Sequence, residues 1–181
     1  MTKSEQYYVS KVAMAARKRC VEGEIIDKNI RKINFETLQN IVNHFGGRLF
    51  IDENSNSYFK LNEECKSFDI CIGNDIKEED QSITVLTALG LTFFDGENLS
   101  DNSIINISED GLIDALKEYG ISYDKILLFA REFLMPENLY DQSMVENTTK
   151  DGKFDCIEMA KDFGTGYMKV LTRGEDLGKW H

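Results

Sequence analysis

Histidine and cysteine are the side chains whose spacing most directly indicates metal or nucleophile chemistry, and this chain has few of them. It has two histidines, His44 and His181, of which His181 is the last residue. The lone usable histidine, His44, has no identifiable nucleophile partner, which argues against a serine or cysteine protease. The cysteines include no C-x-x-C pair, so we expect reduced, mostly buried thiols. They are Cys20, Cys65, Cys71 and Cys156.

The stretch that carries most information is residues 81–95, QSITVLTALGLTFFD. In its spacing, and in its place after a small predicted sheet, it resembles the active-site helix of the ImmA/IrrE zinc metallopeptidases, approximately Q-R-F-T-L-A-H-E-L-G-H-L-L-L-H. A second stretch, LFAREFLMP at 128–136, resembles the F-A-x-x-L-L-M-P signature of the same family. The likeness covers roughly residues 35–178, and it implies a zincin-like domain.

The residues that would make this domain an enzyme are missing. An H-E-x-x-H motif works because residues four apart share one helix face, so two imidazoles reach one zinc ion beside a general base. Thr87 and Leu91 stand at the histidine positions, Ala88 at the glutamate, and Lys125 at the third ligand. The resemblance therefore implies a degenerate member, without catalytic residues, metal or cofactor.

Charge is distributed unevenly. The net charge is −11, with a balance of +4 in residues 1–32 and −15 in the remainder. Such a balance argues against a free-standing nucleic-acid binder, which needs clustered Lys and Arg. Acidic residues concentrated in 52–80 and 95–118 would instead meet a DNA- or RNA-binding protein by charge complementarity. We predict this surface to include Asp75, Glu78, Glu79, Asp80, Asp95, Glu97 and Asp101.

The tail has the spacing of a helix-turn-helix about Gly164. Its second helix would present Lys169 and Arg173 to DNA, but Glu175 and Asp176 follow at once. We therefore favour a structural helical hairpin over a DNA-reading one, with Lys169 and Arg173 as the DNA contacts of the alternative.

Periodicity and turn residues predict an α+β fold, with a small three-stranded sheet and helices packed around a central apolar helix. The first two strands are expected to form a hairpin. Loops are expected at 96–107 and 141–153. We divide the chain into a basic N-terminal helix and linker at 1–33, the peptidase-like domain at 34–153, and a helical hairpin at 154–181. The predicted strands are 48–52, 57–62 and 68–72, and the predicted helices are 4–20, 35–45, 77–95, 109–119, 122–134 and two within 154–178.

The expected function is protein binding without cleavage. ImmA/IrrE-type proteins are typical of phages and mobile elements, so the resemblance implies a repressor with a helix-turn-helix domain, or a host defence protein, as the partner. The alternative is an acidic inhibitor that mimics nucleic acid and blocks a nuclease or CRISPR effector. A residual metallopeptidase and a direct DNA-binding regulator are less well supported. No run resembles a signal peptide or a membrane span, so we expect a cytoplasmic protein, with homodimerisation left open.

Overall fold

A computed structural model describes residues 1–62, 67–94, 99, 104–108, 112–113, 116–117, 120 and 122–180. Within these ranges the chain is α+β, with seven helices and one sheet of four strands. The helices are α1 (Lys3–Glu22), α2 (Phe35–His44), α3 (Glu78–Phe94), α4 (Tyr123–Leu134), α5 (Glu137–Glu146), α6 (Cys156–Phe163) and α7 (Tyr167–Asp176). The strands are β1 (Gly47–Ile51), β2 (Tyr58–Asn62), β3 (Ser67–Ile72) and β4 (Ile104–Asn106).

The sheet differs from the predicted one in its order and its strand number. The order is β1-β3-β2-β4, with β1 parallel to β3, and β2 antiparallel to both β3 and β4. The predicted hairpin of the first two strands is wrong because β3 lies between them. Five of the six β3 residues are buried, which suits a central strand covered on both faces. The prediction of three strands is also wrong, since β4 lies within the expected 96–107 loop.

The predicted central apolar helix is confirmed as α3. Its first turn carries Glu78, Glu79 and Asp80, where the helix dipole favours negative charge. Every residue from 85 to 91 is buried, so no side of this stretch faces water. Helix α4 packs closely against it: a Cβ added to Gly90 would lie 3.2 Å from the Phe129 ring.

Helix α5 corrects the predicted 141–153 loop, because it continues to Glu146. Its sequence is largely polar, yet Leu139, Tyr140 and Ser143 are fully buried. Leu139 and Tyr140 are four and three positions before Ser143, so the three residues lie towards one helix face while the polar residues face outward. The short apolar stripe was not recognised as a helical period.

Two further expectations concern membranes and thiols. Among the helices in the described ranges, none is both long and apolar enough to cross a lipid bilayer. Cys20 and Cys71 are free and buried, as expected, and Cys156 is free and partly buried. Burial raises the pKa of the Cys20 thiol to about 11. Cys65 lies outside the described residues.

One ion pair in the sheet predicts how stability depends on pH. Arg48 donates two hydrogen bonds of 2.8 Å to the buried Asp69 carboxylate, and they lower its pKa. A lowered folded-state pKa stabilises the fold above the unfolded value of about 4, and the contribution is lost as pH falls. Asp69→Asn should therefore cost about 1 kcal/mol of unfolding free energy at pH 7 and less in acid. Urea titrations at neutral and acidic pH measure this, and an equal loss at both would contradict it.

Candidate functional site

The α3 positions that the sequence resemblance compares with zinc-peptidase residues are packed into the interior. Ala88 and Leu91 have no solvent-exposed surface, and Thr87 is 4% exposed. The Thr87 hydroxyl donates to the Ile83 carbonyl of its own helix at 2.7 Å. A threonine bonded in this way uses its only donor within its own helix.

Lys125, at the third-ligand position, lies in a different cleft from Thr87. Its Nζ is 3.4 Å from the Glu5 carboxylate of α1, in a cleft of 410 Å³ that Tyr8 and Phe94 also line. Hydrogen bonds from Thr2 and the ammonium of Lys125 lower the pKa of Glu5 to about 2. Thr87 instead lines a 300 Å³ cleft beside Asp80 and Lys169. The structure therefore does not bring the four vestigial positions together around one opening.

The described members of the predicted acidic surface lie at the start of α3. Asp75 accepts hydrogen bonds from the amide and hydroxyl of Ser57, at 3.0 and 2.6 Å, so it holds the turn before the helix. Glu78 and Glu79 are exposed and Asp80 is half-buried. The positions of Asp95, Glu97 and Asp101 lie outside the described residues. A single acidic surface of seven residues thus stays a prediction.

The tail forms the predicted helical hairpin, α6 and α7, but Arg173 does not face solvent. Its side chain is fully buried and donates to the Met135 carbonyl and to both carboxylate oxygens of Glu132, at 2.8–2.9 Å. Glu132 also accepts from Ser10 of α1 at 2.8 Å. This placement does not fit the DNA contact considered for Arg173, because no donor faces outward. Lys169 is half-buried, and its role as a DNA contact stays a prediction.

The tail is also fastened to the body at other points. Arg131 of α4 donates to both carboxylate oxygens of Asp176, at 2.6 and 3.1 Å. The Tyr140 hydroxyl donates to the Val170 carbonyl at 2.8 Å. Helix α7 is therefore held on its inner side by a network of buried polar contacts. Only its first turn and outer face remain for a partner.

A further cleft was not recognised in the sequence. It is a groove of 940 Å³ between the linker that enters α2, the first turn of α3, and the α6–α7 hairpin. Ile157 and Tyr167 on its rim are 62% and 53% exposed. Lysines line it from three separate segments: Lys32, Lys77 and Lys161. Exposed apolar side chains beside charged ones are typical of a protein-binding surface.

The described part of the chain brings no three His, Cys, Asp or Glu side chains into a metal-binding group, and the absence of a cofactor stays a prediction. No family model matches the chain, and no characterised protein matches its sequence. The resemblance to the ImmA/IrrE peptidases thus stays a prediction from the two sequence stretches quoted above.

Proposed function

We propose that this protein is a catalytically inactive, ImmA/IrrE-like protein that acts by binding another protein. The observation that carries the proposal is the interior packing of Ala88 and Leu91, where an active relative would need a general base and a zinc ligand. An imidazole or carboxylate at these positions would have to enter the hydrophobic core. Zinc-peptidase chemistry needs those groups at an open position that water can reach.

We infer that the partner is a DNA-binding repressor or a host defence protein, encountered in a phage or mobile element. This part of the proposal comes from the resemblance. The 940 Å³ groove supports a binding role, because its exposed rim offers an aromatic anchor, Tyr167, with lysines around it. Aromatic residues in the centre of an interface often contribute most of the binding free energy.

Affinity capture from the native host tests the binding role, with two variants of equally exposed residues. Tyr167 lines the groove, whereas Met14 of α1 is equally exposed, at 55%, but does not line it. We expect Tyr167→Ala to weaken capture more than about tenfold, and Met14→Ala to leave it unchanged. Equal capture by all three proteins would remove the groove from the proposal.

The inactive state has its own test. The purified protein is dialysed against zinc and then buffer, its metal content is measured, and the captured partner is incubated with it. We expect neither stoichiometric zinc nor cleavage of the partner. Stoichiometric zinc together with cleavage would overturn the proposal whatever the capture shows.

No specific observation favours nucleic-acid mimicry as a second function. Among the described residues of the predicted acidic surface, Asp75 accepts a hydrogen bond from Ser57. Glu78 and Glu79 follow directly after Lys77, so a positive charge lies beside them in the sequence. A measurement that showed competition between this protein and duplex DNA for a captured nuclease would support nucleic-acid mimicry.

A further inference from the structure

The first turn of α7 opens into the groove without a capping side chain. Helix α7 has ten residues and begins after Gly166, which has no side chain to accept from the first amides. The first N–H groups of a helix have no acceptor within the helix and carry partial positive charge. Those of Tyr167 and Met168 are therefore donors available to an acceptor from outside the helix.

An independent feature points to the same place. Thr165, immediately before Gly166, lines the groove and is only 6% exposed. Its Oγ1 has no hydrogen-bond partner in the described part of the chain. Unpaired buried hydroxyls are uncommon in folded proteins because desolvation without a partner is unfavourable. A ligand atom that accepts hydrogen bonds would give the Thr165 hydroxyl and the α7 amides a common partner.

The charges around the groove select the kind of acceptor. Lys161 forms an ion pair with Glu158, whereas Lys32 and Lys77 have no ion pair with any described residue. Two acidic residues, Glu78 and Glu79, also line the groove, so the two lysines without an ion pair are balanced by two glutamates. Such a lining repels a ligand with one negative charge less than a phosphate group with two.

Asp80 gives the same indication from the neighbouring cleft. Its Oδ1 would lie 3.8 Å from a Cβ placed on Gly166, so a carboxylate already stands close to this helix end. Asp80 makes no hydrogen bond to the described α7 amides. The Asp80 charge repels a bound anion, and it repels a doubly charged one more strongly than a singly charged one. The α7 amides nevertheless stay unoccupied.

We propose that this groove binds an acidic peptide segment of the partner, with an Asp or Glu side-chain carboxylate at the first turn of α7. The carboxylate accepts from the Tyr167 and Met168 amides beside Lys32. It also accepts from the Thr165 hydroxyl, once rotation about the Cα–Cβ bond turns this hydroxyl, buried in the free protein, towards the groove. An apolar residue next to it packs on Ile157 and the Tyr167 ring. The inference rests on the proposed protein-binding function and specifies the chemistry of the segment that is bound.

A peptide titration followed by amide NMR shifts tests the carboxylate directly. The probe is acetyl-Ala-Leu-Glu-Leu-Ala-amide, whose blocked ends leave the glutamate as its only charge, and the control peptide has Gln in its place. We expect saturable shifts at the Tyr167 and Met168 amides, and binding of the Gln peptide weaker by about tenfold or more. Equal affinity for the two peptides would overturn the proposal.

Variants of the protein separate a binding role from a structural one. Thr165→Val removes the hydroxyl at nearly constant shape, so we expect about tenfold weaker binding and an unchanged or raised melting temperature of the free protein. Gly166→Ser supplies an internal cap, which should compete with the peptide and preserve the fold. Thr172→Val, farther along α7, is the matched control and should leave binding unchanged. A lowered melting temperature for Thr165→Val with unchanged binding would show that the hydroxyl is structural.

Two further probes distinguish other sources of the anion. The first is a Gln peptide with a free terminal carboxylate. If it binds as well as the Glu peptide, the bound carboxylate is that of a chain terminus and the proposal of a side-chain carboxylate is wrong. Tighter binding of a phosphoserine peptide would overturn the choice of a single charge. If these peptides fail while capture still depends on Tyr167, this inference is wrong and the proposed function stands. Cleavage of the captured partner would instead refute the proposed function.

Discussion

Ala88→Glu is expected to destabilise the fold by more than about 4 kcal/mol, which would leave much of the protein unfolded at 25 °C. Ala88 is fully buried within the run 85–91, where every residue is buried. A carboxylate there either loses its hydration without an ionic partner or becomes protonated at an energetic cost. The larger side chain also has to displace neighbours that are themselves buried, among them Leu89 and Leu91. Urea denaturation followed by circular dichroism gives the loss.

Thr84→Glu is the matched control, since it places the same charge on the same helix. Thr84 is half-buried and lines the 300 Å³ cleft, so its glutamate can reach water. The expected loss of unfolding free energy comes from repulsion by Asp80, four residues earlier, and should be below about 1 kcal/mol. If Ala88→Glu retained full stability, the interior would have room for a catalytic glutamate. A triple variant that also carries Thr87→His and Leu91→His would then be expected to bind zinc.

The sequence contained enough information for the burial of α3 but not for the sheet. Residues 83–94 are apolar on almost every side, and a helix of that kind has no stable position except the interior. Strand order depends on which distant segments pair, and turn residues in 53–57 suggested a local pairing that β3 displaces. Strand β4 has three residues, with Ile105 buried and Ile104 65% exposed, so it was too short for a period of two to be recognised.

The candidate site could be predicted only where it is local in sequence. Positions 87, 88, 91 and 125 were found by spacing against a motif. The groove takes its lining from segments around residues 32, 77, 161 and 167, and their proximity is a tertiary result. Thr165 gave no signal in the sequence, because an unpaired hydroxyl is recognised only when its surroundings are known.

Arg173 shows that the role of a charged residue, too, could not be predicted from the local sequence. A basic residue near the end of an exposed-looking helix suggested a phosphate contact, and the acidic residues after it suggested that DNA would be repelled. Its actual partner is Glu132, 41 residues earlier in the chain. The decisive fact, that the two charges meet inside the protein, depends on how α7 packs on α4.

Arg173→Met is expected to cost about 3–5 kcal/mol of unfolding free energy. The Arg173 side chain has 1% of its surface exposed and that of Glu132 has 11%, so removing the guanidinium leaves a nearly buried carboxylate without its cation. Among the described residues, only the Ser10 hydroxyl would still donate to Glu132, and the Met135 carbonyl would lose the donor that Arg173 supplies. Urea denaturation measures the loss, and proteolysis between α5 and α7 should become faster if the tail detaches first.

A second substitution separates the energy of the ion pair from the penalty for breaking it. Glu132→Leu added to Arg173→Met removes both buried charges, so stability should recover by about 2 kcal/mol or more from the single variant. Lys18→Met is the exposed control: its pair with Glu22 is 62–73% exposed, and its loss should change stability by less than about 0.5 kcal/mol. If Arg173→Met lowered the unfolding free energy as little as Lys18→Met, the Glu132 carboxylate would have to be solvated in the variant that lacks Arg173. The tail would then be loosely attached, and helix α7 would again be available as a nucleic-acid-binding element.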